Sequence, residues 1–328
     1  MAGLMGALLL VADIGGTNAR FGLARKTPAG AFHIQAQHTL KCDDFADPGA
    51  LVRAYLARLD RDTQSPQYAC LAVAGPVSND IIEMTNRQWR CAGDALAQQL
   101  DIKVVKVLND WAAMAYAAPF FAATDIETLF VGTPDPQGTF ALMGPGTGFG
   151  ASALKPTGRG YEILATEGGH VAFAPGDARE LELLGLLRRE RDYVSVEDLL
   201  SGAGLVTIYR GLAQLAGLTP TPKKPNEITA AGLSGTDPLC VEALTLFCNV
   251  LGGVAGDKAL DFYASGGVFI GGGIVPHLKD FLSRTDFMVR FQHKGLMTPF
   301  TSHIPLHLIK TDNAALIGCA AWLETFIT

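Results

Sequence analysis

The chain has 328 residues, of which 48% are hydrophobic and 18% are charged, and its formal net charge is −6. This composition allows a large core and one or two domains, and it argues against disorder. The only basic run, RRER, is typical of a solvated helix face, so we expect no nucleic acid or anionic membrane as partner. The long uncharged stretch Phe262–Leu278 contains five glycines, which excludes a membrane-spanning helix there.

The six cysteines are scattered and form no Cys-x-x-Cys pair, which is typical of reduced thiols in a protein core. The N-terminal segment MAGLMGALLLVA lacks the positive charge of a secretion signal, and the final residues ETFIT do not match a peroxisomal signal. We therefore expect a cytoplasmic protein.

Strand-like and helix-like segments alternate along the first third of the chain, which predicts an α/β fold. The predicted strands and helices follow in the order LLLVADI, RFGLA and FHIQAQHTL (strands), PGALVRAYLARL (helix), YACLAVAG (strand), AGDALAQQL (helix) and KVVKVL (strand).

The second part begins after the turn-rich GTPDPQG, and its first segment, TFALMGPGTGFGASAL, repeats the pattern of residues 8–24. Both are apolar strands joined through a glycine-threonine tip, which indicates two related halves. Residues 217–238 are predicted to form a surface excursion, after which Asp237 caps a long helix. Residues 267–282 predict a strand, a glycine loop and a helix. The C-terminal segment predicts a small-residue amphipathic helix capped by Asp312.

Three glycine-rich turns follow apolar strands, at residues 13–17, 144–150 and 270–274. Each could be a hairpin turn that needs glycine for positive φ. Alternatively, Gly15, Gly16 and Thr17 present N–H groups to phosphate oxygens, with Asp13 facing a phosphate-bound Mg²⁺ through water. The sequence contains neither a P-loop nor a dinucleotide-binding fingerprint. The missing fingerprint argues against the interpretation of the protein as a nicotinamide-dependent dehydrogenase.

Polar residues that could bind or activate a substrate occur in three further segments. Asp110, with Asn109 beside it, lies between a buried strand and a helix, where it could be a helix cap or a general base. Glu167 and His170 flank two glycines and could hold vicinal hydroxyls. Glu197 alone is most simply explained by a short helix capped by Ser195.

Taken together and in order, these motifs resemble the bacterial glucokinases of the hexokinase/actin-like ATPase superfamily, essentially end to end. The segments that carry the resemblance are ADIGGTNARFGLA, AVAGPV…MTNRQW, VLNDWAAMAYA, GPGTGFGAS, TEGGHVAFAP, SVEDLLSGAGL, FIGGGIVP and TDNAALIG.

The resemblance implies ATP-dependent phosphorylation of D-glucose at its 6-hydroxyl, the entry step of glycolysis, with Asp110 as the catalytic base. The other sugar contacts that it implies are Asn109, Glu167, His170 and Glu197. It implies nucleotide and phosphate contacts at Ala12, Asp13, Ile14, Gly15, Gly16, Thr17, Thr147, Gly148, Gly271, Gly272 and Gly273.

The resemblance also implies a two-domain, ribonuclease-H-like fold with an interdomain cleft that closes on sugar. The expected domains are residues 1–120 with 311–328, and residues 121–310. We expect ATP and Mg²⁺ and a homodimer, but no zinc. The segment EGGHVAFAPGDARELELL contains no cysteine, whereas the related repressor/kinase (ROK) sugar kinases have a zinc-binding cysteine cluster after their Glu-x-Gly-His segment. A kinase for mannose or fructose, or a non-catalytic sugar sensor on the same fold, stays open as an alternative.

Overall fold

The computed structural model describes residues 7–60, 65–75, 77–78, 80–84 and 87–327. Residues 1–6 of the N-terminal segment, and Pro76, Thr85 and Asn86 of the AVAGPV…MTNRQW motif, lie outside the described residues. The chain divides into two units. Unit 1 comprises Met1–Ile126 and Thr311–Thr328, and unit 2 comprises Glu127–Lys310.

Unit 1 is built on a five-stranded sheet with the order β3-β2-β1-β4-β8. Its strands are β1 (Leu9–Ile14), β2 (Asn18–Lys26), β3 (Phe32–Lys41), β4 (Tyr68–Val73) and β8 (Val104–Asn109), and a separate small sheet contains β5 (Val77–Ser78), β6 (Ile81–Glu83) and β7 (Arg90–Ala92). Its helices are α1 (Pro48–Leu56), α2 (Gly93–Leu100), α3 (Asp110–Ala117) and α11 (Ala314–Glu324).

The central strands of unit 1 run parallel and bring their carboxyl ends to one edge of the sheet. β1 pairs with β4 and β4 pairs with β8, so that Ile14, Val73 and Asn109 stand in register. β1 and β4 are almost entirely buried and consist mainly of Leu, Val and Ala, as is typical of parallel strands covered on both faces. The residues that follow these strands therefore meet at the same edge.

Unit 2 contains a six-stranded sheet with the order β12-β11-β10-β13-β14-β9. The strands are β9 (Ile126–Phe130), β10 (Phe140–Pro145), β11 (Phe149–Thr157), β12 (Gly160–Thr166), β13 (Gly267–Ile270) and β14 (Leu306–Ile309). The helices are α4 (Ala178–Leu187), α5 (Gly202–Leu215), α6 (Pro225–Ser234), α7 (Pro238–Asp261), α8 (Lys279–Leu282), α9 (Phe287–Gln292) and α10 (Thr298–Thr301).

The two sheets share one topology. In each, an antiparallel hairpin (β1–β2 and β10–β11) is followed on one side by a third antiparallel strand and on the other by parallel strands. The prediction of two related halves, each opening with a glycine-tipped hairpin, is confirmed at the level of strand order.

The long helix α7 begins as predicted, with the Asp237 carboxylate accepting hydrogen bonds from Leu239 N and Cys240 N. It is long and apolar enough to cross a membrane, but 67% of its most apolar stretch is buried inside the structure. Its neighbours are α5, α6 and α9, so α7 is the central helix of the unit 2 core.

Three predictions about helices were wrong. Residues 217–238 are not only a surface excursion, because they contain α6, whose Ile228 is fully buried in the unit 2 core. The C-terminal helix α11 is buried on nearly all sides instead of being amphipathic. Its N-cap residue is Asn313, whose side chain makes no capping hydrogen bond, and not Asp312. Asp312 instead lies beside Arg20.

Small residues let α11 pack tightly on α3. A Cβ at Gly318 would overlap the carbonyl group of Ala113. α11 also contacts β1, β2, β3 and β4, and the Cys319 thiol lies 3.7 Å from the carbonyl oxygen of Ala12. The helix that begins with Asp110 is therefore held directly by α11.

Candidate active site

The turn after β1 is fixed through its carbonyl groups. The carbonyl oxygen of Gly15 accepts from the Cys42 thiol (3.5 Å), that of Gly16 accepts from Arg87 Nε (2.6 Å), and that of Thr17 accepts from Cys42 N (2.9 Å). Within the described residues, the N–H groups of Gly16 and Thr17 donate to no partner. Successive N–H groups without a protein partner are what an anion-binding turn requires.

Positive φ does not explain the glycines of this turn. The turn does join the β1–β2 hairpin, but neither Gly15 nor Gly16 adopts the left-handed conformation that the sequence interpretation assumed. What glycine contributes here is the lack of a side chain beside the N–H groups, which allows a ligand to approach the backbone closely.

Asp110 is the first residue of α3, but it is not the cap. Asn109 Oδ1 accepts from Trp111 N (3.0 Å) and Ala112 N (3.1 Å), and Asn109 Nδ2 donates to the Gly75 carbonyl (3.0 Å). Asp110 Oδ1 accepts a bond from Trp111 N at 2.9 Å, which it shares with Asn109 Oδ1. The interpretation of Asp110 as a simple helix cap is therefore wrong, since Asn109 has that role.

The pKa of Asp110 is raised from 3.8 to about 6, first by burial and second by the negative charge of Asp13. Burial also raises the pKa of Asp13, against the opposing effect of Arg20. The two carboxylates lie at the same edge of one sheet, and the charge of Asp13 makes ionisation of Asp110 less favourable. A carboxylate with a pKa near 6 is ionised at neutral pH and is more basic than an ordinary aspartate.

Asp13 suits a hard divalent cation. Its carboxylate forms no salt bridge with any residue in the described part of the chain, and burial disfavours its charge. A cation such as Mg²⁺, which prefers oxygen ligands, would compensate that charge. The turn at 15–17 lies directly after it, so this carboxylate and the available N–H groups are neighbours.

In unit 2, the other two glycine turns pack against each other. Gly271 N donates to the carbonyl oxygen of Met143 at 2.9 Å. A Cβ at Gly144 would overlap the Gly271 carbonyl, and a Cβ at Gly272, whose φ is +96°, would overlap the Pro145 carbonyl. Here glycine is required by close backbone contact and, at Gly272, by conformation. The exposed Thr147 and Gly273 stand on these joined turns.

Glu167 and His170 lie on one tight turn and are both exposed. His170 N donates to the Glu167 carbonyl (3.0 Å), and the Tyr193 hydroxyl donates to the His170 carbonyl (2.9 Å). Gly168 and Gly169 between them are buried, and a Cβ at Gly169 would overlap the Phe149 carbonyl. The backbone of this turn is thus anchored while both side chains face solvent.

Glu197 connects that turn to the one containing Thr147. Its Oε2 accepts from Phe149 N at 2.7 Å, and its own N–H donates to the Gly169 carbonyl at 2.9 Å. A Cβ at Gly148 would overlap the Glu197 carboxylate. No regular helix follows Ser195, but the expected cap is present: Ser195 Oγ accepts from Asp198 N, and Asp198 Oδ2 accepts from Ser195 N. The capped segment is a single turn, closed by the hydrogen bond from Leu200 N to the Val196 carbonyl.

The structure therefore gathers the candidate residues into two groups. Unit 1 holds residues 12–17 with Asn109 and Asp110, and unit 2 holds the rest: Thr147, Gly148, Glu167, His170, Glu197, Gly271, Gly272 and Gly273. Three residues that hold these turns in place were not singled out from the sequence: Cys42, Arg87 and Tyr193. Only Arg87 had a signal, because it lies in the quoted MTNRQW segment.

A family model, curated relatives and a solved structure that match this chain are all described as glucokinases. A family model described as Glucokinase matches residues 10–326. A glucokinase from Saccharophagus degradans is 38% identical over 315 residues, covering 96% of this chain and 98% of the relative. One from Aromatoleum aromaticum is 41% identical over 315 residues, covering 96% and 94%.

A solved structure described as a glucokinase from an Antarctic psychrotroph matches the fold with a TM-score of 0.89 at 38% identity. The match covers 98% of this chain and 99% of that one. The predicted α/β, actin-like ATPase fold is confirmed.

Proposed function

Because the chain belongs to the glucokinase family, we propose that it transfers the γ-phosphoryl group of ATP to the 6-hydroxyl of D-glucose, with Asp110 as the base. The observation that carries this assignment of the base is the environment of Asp110. Its carboxylate has a pKa near 6, accepts a shared hydrogen bond from Trp111 N and lies beside Asp13.

In this mechanism, the Asp110 carboxylate accepts the proton of the glucose 6-hydroxyl as that oxygen attacks the γ-phosphorus. The bond from the γ-phosphorus to the bridging oxygen breaks, and ADP leaves with that oxygen. Asp110, now protonated, returns its proton to solvent after product release. Positioning and electrostatic stabilisation supply most of the acceleration in phosphoryl transfer, and general-base catalysis adds about 10²–10⁴-fold.

The N–H groups of Gly16 and Thr17 are assigned to phosphate oxygens, and Thr147, Gly148 and residues 271–273 to the rest of the nucleotide. Asp13 is assigned to the Mg²⁺ that accompanies ATP, through water. Mg²⁺ would supply neutralisation of the phosphate charge. Ala12 and Ile14, which are buried, set the backbone of this edge.

Glucose is assigned to Asn109, Glu167, His170 and Glu197. Asn109 adjoins Asp110 at the end of β8, and the exposed Glu167 and His170 can each bond a hydroxyl. Glu197 keeps one carboxylate oxygen beyond the one bonded to Phe149 N. These residues belong to both units, and we propose that the units act as the two domains of the enzyme.

We further propose that the enzyme acts in the cytoplasm, as a homodimer, and carries no structural zinc. His170 has an assigned role in sugar binding, and it belongs to no group of three metal-ligating residues in the part of the chain that the structure describes. Sedimentation would give the oligomeric state, and metal analysis of the purified protein should find zinc well below one per chain.

The alternatives differ in sugar and in turnover. A mannose or fructose kinase would use the same hydroxyl-binding residue types, whereas a sugar sensor would have no need of a base with a raised pKa. The test is ADP release with Mg·ATP and glucose, mannose or fructose, using Asp110→Asn as the control. Glucose should give the highest kcat/KM. A higher kcat/KM with mannose or fructose would assign that sugar as the substrate. The absence of turnover with any of the three sugars would favour the non-catalytic sensor.

A further inference from the structure

Unit 2 contains a pocket of about 300 Å³ that the proposed reaction does not use. One wall is formed by residues 171–176, which follow the turn carrying His170, and the others by α7 and residues 290–294. Glu167, His170 and Glu197 do not line it. The volume is that of a small metabolite.

Cationic side chains dominate the polar lining of this pocket. Lys258, Arg290 and Lys294 line it together with His293, against one carboxylate, that of Asp257. Lys294 Nζ donates to the Gly253 carbonyl at 2.7 Å, and Arg290 Nη2 lies 3.5 Å from where a Gly253 Cβ would be. Two cationic groups therefore converge on one turn of α7.

In the ion pairs around the pocket, the cations are more buried than the aspartates that pair with them. The side chains of Lys258, Lys294 and Arg290 are 8%, 12% and 18% exposed, whereas their aspartate partners are 44–56% exposed. An anion entering the pocket could replace these aspartates as partner, and the released carboxylates would be hydrated with little rearrangement. The fully buried acid Glu180 binds Arg290 but does not line the pocket.

The remaining lining is apolar. Phe173, Val196, Val250 and Val254 are all buried, whereas Val171 is 43% exposed and marks the solvent side. A ligand that fits must therefore combine an anionic group with an apolar body.

We propose that this pocket is a second ligand site, specific for a small organic anion with a phosphate or carboxylate group. It lies behind the turn assigned to sugar: Val171 and Val196 adjoin His170 and Glu197 in the chain, and Lys258 Cε lies 3.4 Å from where a Gly168 Cβ would be. An anion bound in the pocket would contact residues that pack next to this turn, such as Lys258, without occupying the proposed sugar site.

Calorimetric titration of the full chain at constant ionic strength tests the site without turnover. The probes are phenyl phosphate and benzoate, with benzyl alcohol as the uncharged control. Wild-type protein should bind at least one anion and not the alcohol. Lys258→Met should weaken that binding about tenfold or more, since a hydrogen bond to a charged group is lost. The matched control Lys279→Met removes a lysine paired to Glu127 away from the pocket and should change nothing.

Saturating Mg·ATP should leave anion binding unchanged. Displacement by Mg·ATP, equal effects of the two lysine variants, or no binding of either anion at millimolar concentration would overturn the proposal. If Lys258→Met does not fold, Lys294→Met serves instead, because its partner Asp257 is also half-exposed. Glucose phosphorylation is assayed separately, so failure of this site leaves the proposed reaction untouched.

Discussion

Replacing Asp110 by Asn should make the protein more stable and much less active. The pKa of Asp110 is raised from 3.8 to about 6, by burial first and by Asp13 second. Each pKa unit corresponds to about 1.36 kcal/mol, so ionised Asp110 destabilises the folded state by up to about 3 kcal/mol. Asn carries no charge and can still accept the hydrogen bond from Trp111 N.

The sign of the pH dependence follows from the raised pKa. Between about pH 4 and pH 6 the folded wild type binds more protons than the unfolded chain, so its stability falls as the pH rises through this window. The Asp110→Asn variant has no carboxylate at this position, so its stability should not fall in this way as the pH rises. Its free energy of unfolding should therefore exceed the wild-type value by up to about 3 kcal/mol at about pH 8, and the difference should vanish near pH 4.

Urea unfolding of the sugar-free protein at both pH values measures this difference, with the exposed Asp44→Asn as a control that should match wild type. The same variant, Asp110→Asn, should lose about 10²–10⁴-fold in kcat. Equal stability of wild type and Asp110→Asn at the higher pH would refute the argument from burial. Retention of more than a tenth of wild-type kcat would refute the role as base.

The remaining predictions concern three further positions and domain closure. His170→Ala should raise the KM for glucose and leave the melting temperature unchanged, because the bonds that His170 makes with other described residues involve its backbone atoms only; a lower melting temperature would indicate a structural role. Gly272→Ala should cost about 1–3 kcal/mol of stability, measured by urea unfolding, since it combines positive φ with an overlap. Gly273→Ala, where a Cβ meets nothing, should keep its stability but raise the KM for ATP, and an unchanged KM would exclude Gly273 from the nucleotide site. Solution scattering should show a smaller radius of gyration with glucose, and an unchanged radius would argue against domain closure.

The strands of the first sheet and the turns that carry the candidate site residues could be predicted from the sequence, because apolar strands ending in polar or glycine-rich turns are local patterns. Which of two adjacent polar residues caps a helix could not. Asn109 and Asp110 are equally suitable by type, and the backbone conformation of Asn109 (φ −61°, ψ 144°) decides the choice. The same difficulty explains the wrong prediction that Asp312 caps α11, because the adjacent Asn313 is the residue that directly precedes the helix.

Tertiary contacts explain the other differences. The glycines at 144 and 272 resemble ordinary turn residues in sequence, yet each leaves room for the backbone of the other turn, which is distant along the chain. α11 would be amphipathic only if one of its faces met water. The strands of unit 1 and α3 cover this helix instead. The pattern of apolar residues in 311–328 does not show that both faces of the helix are covered.

The packing of α11 on α3 also affects the order of events during synthesis. α3 is made early, but Gly318, which receives the Ala113 carbonyl, follows only after the whole of Glu127–Lys310 has been translated. Until then the sheet of unit 1 lacks the helix that covers β1 and β4, and the helix beginning at Asp110 lacks its main neighbour. Unit 2 can therefore complete its own fold first, and Asp110 is fixed in place only when both parts of unit 1 have left the ribosome.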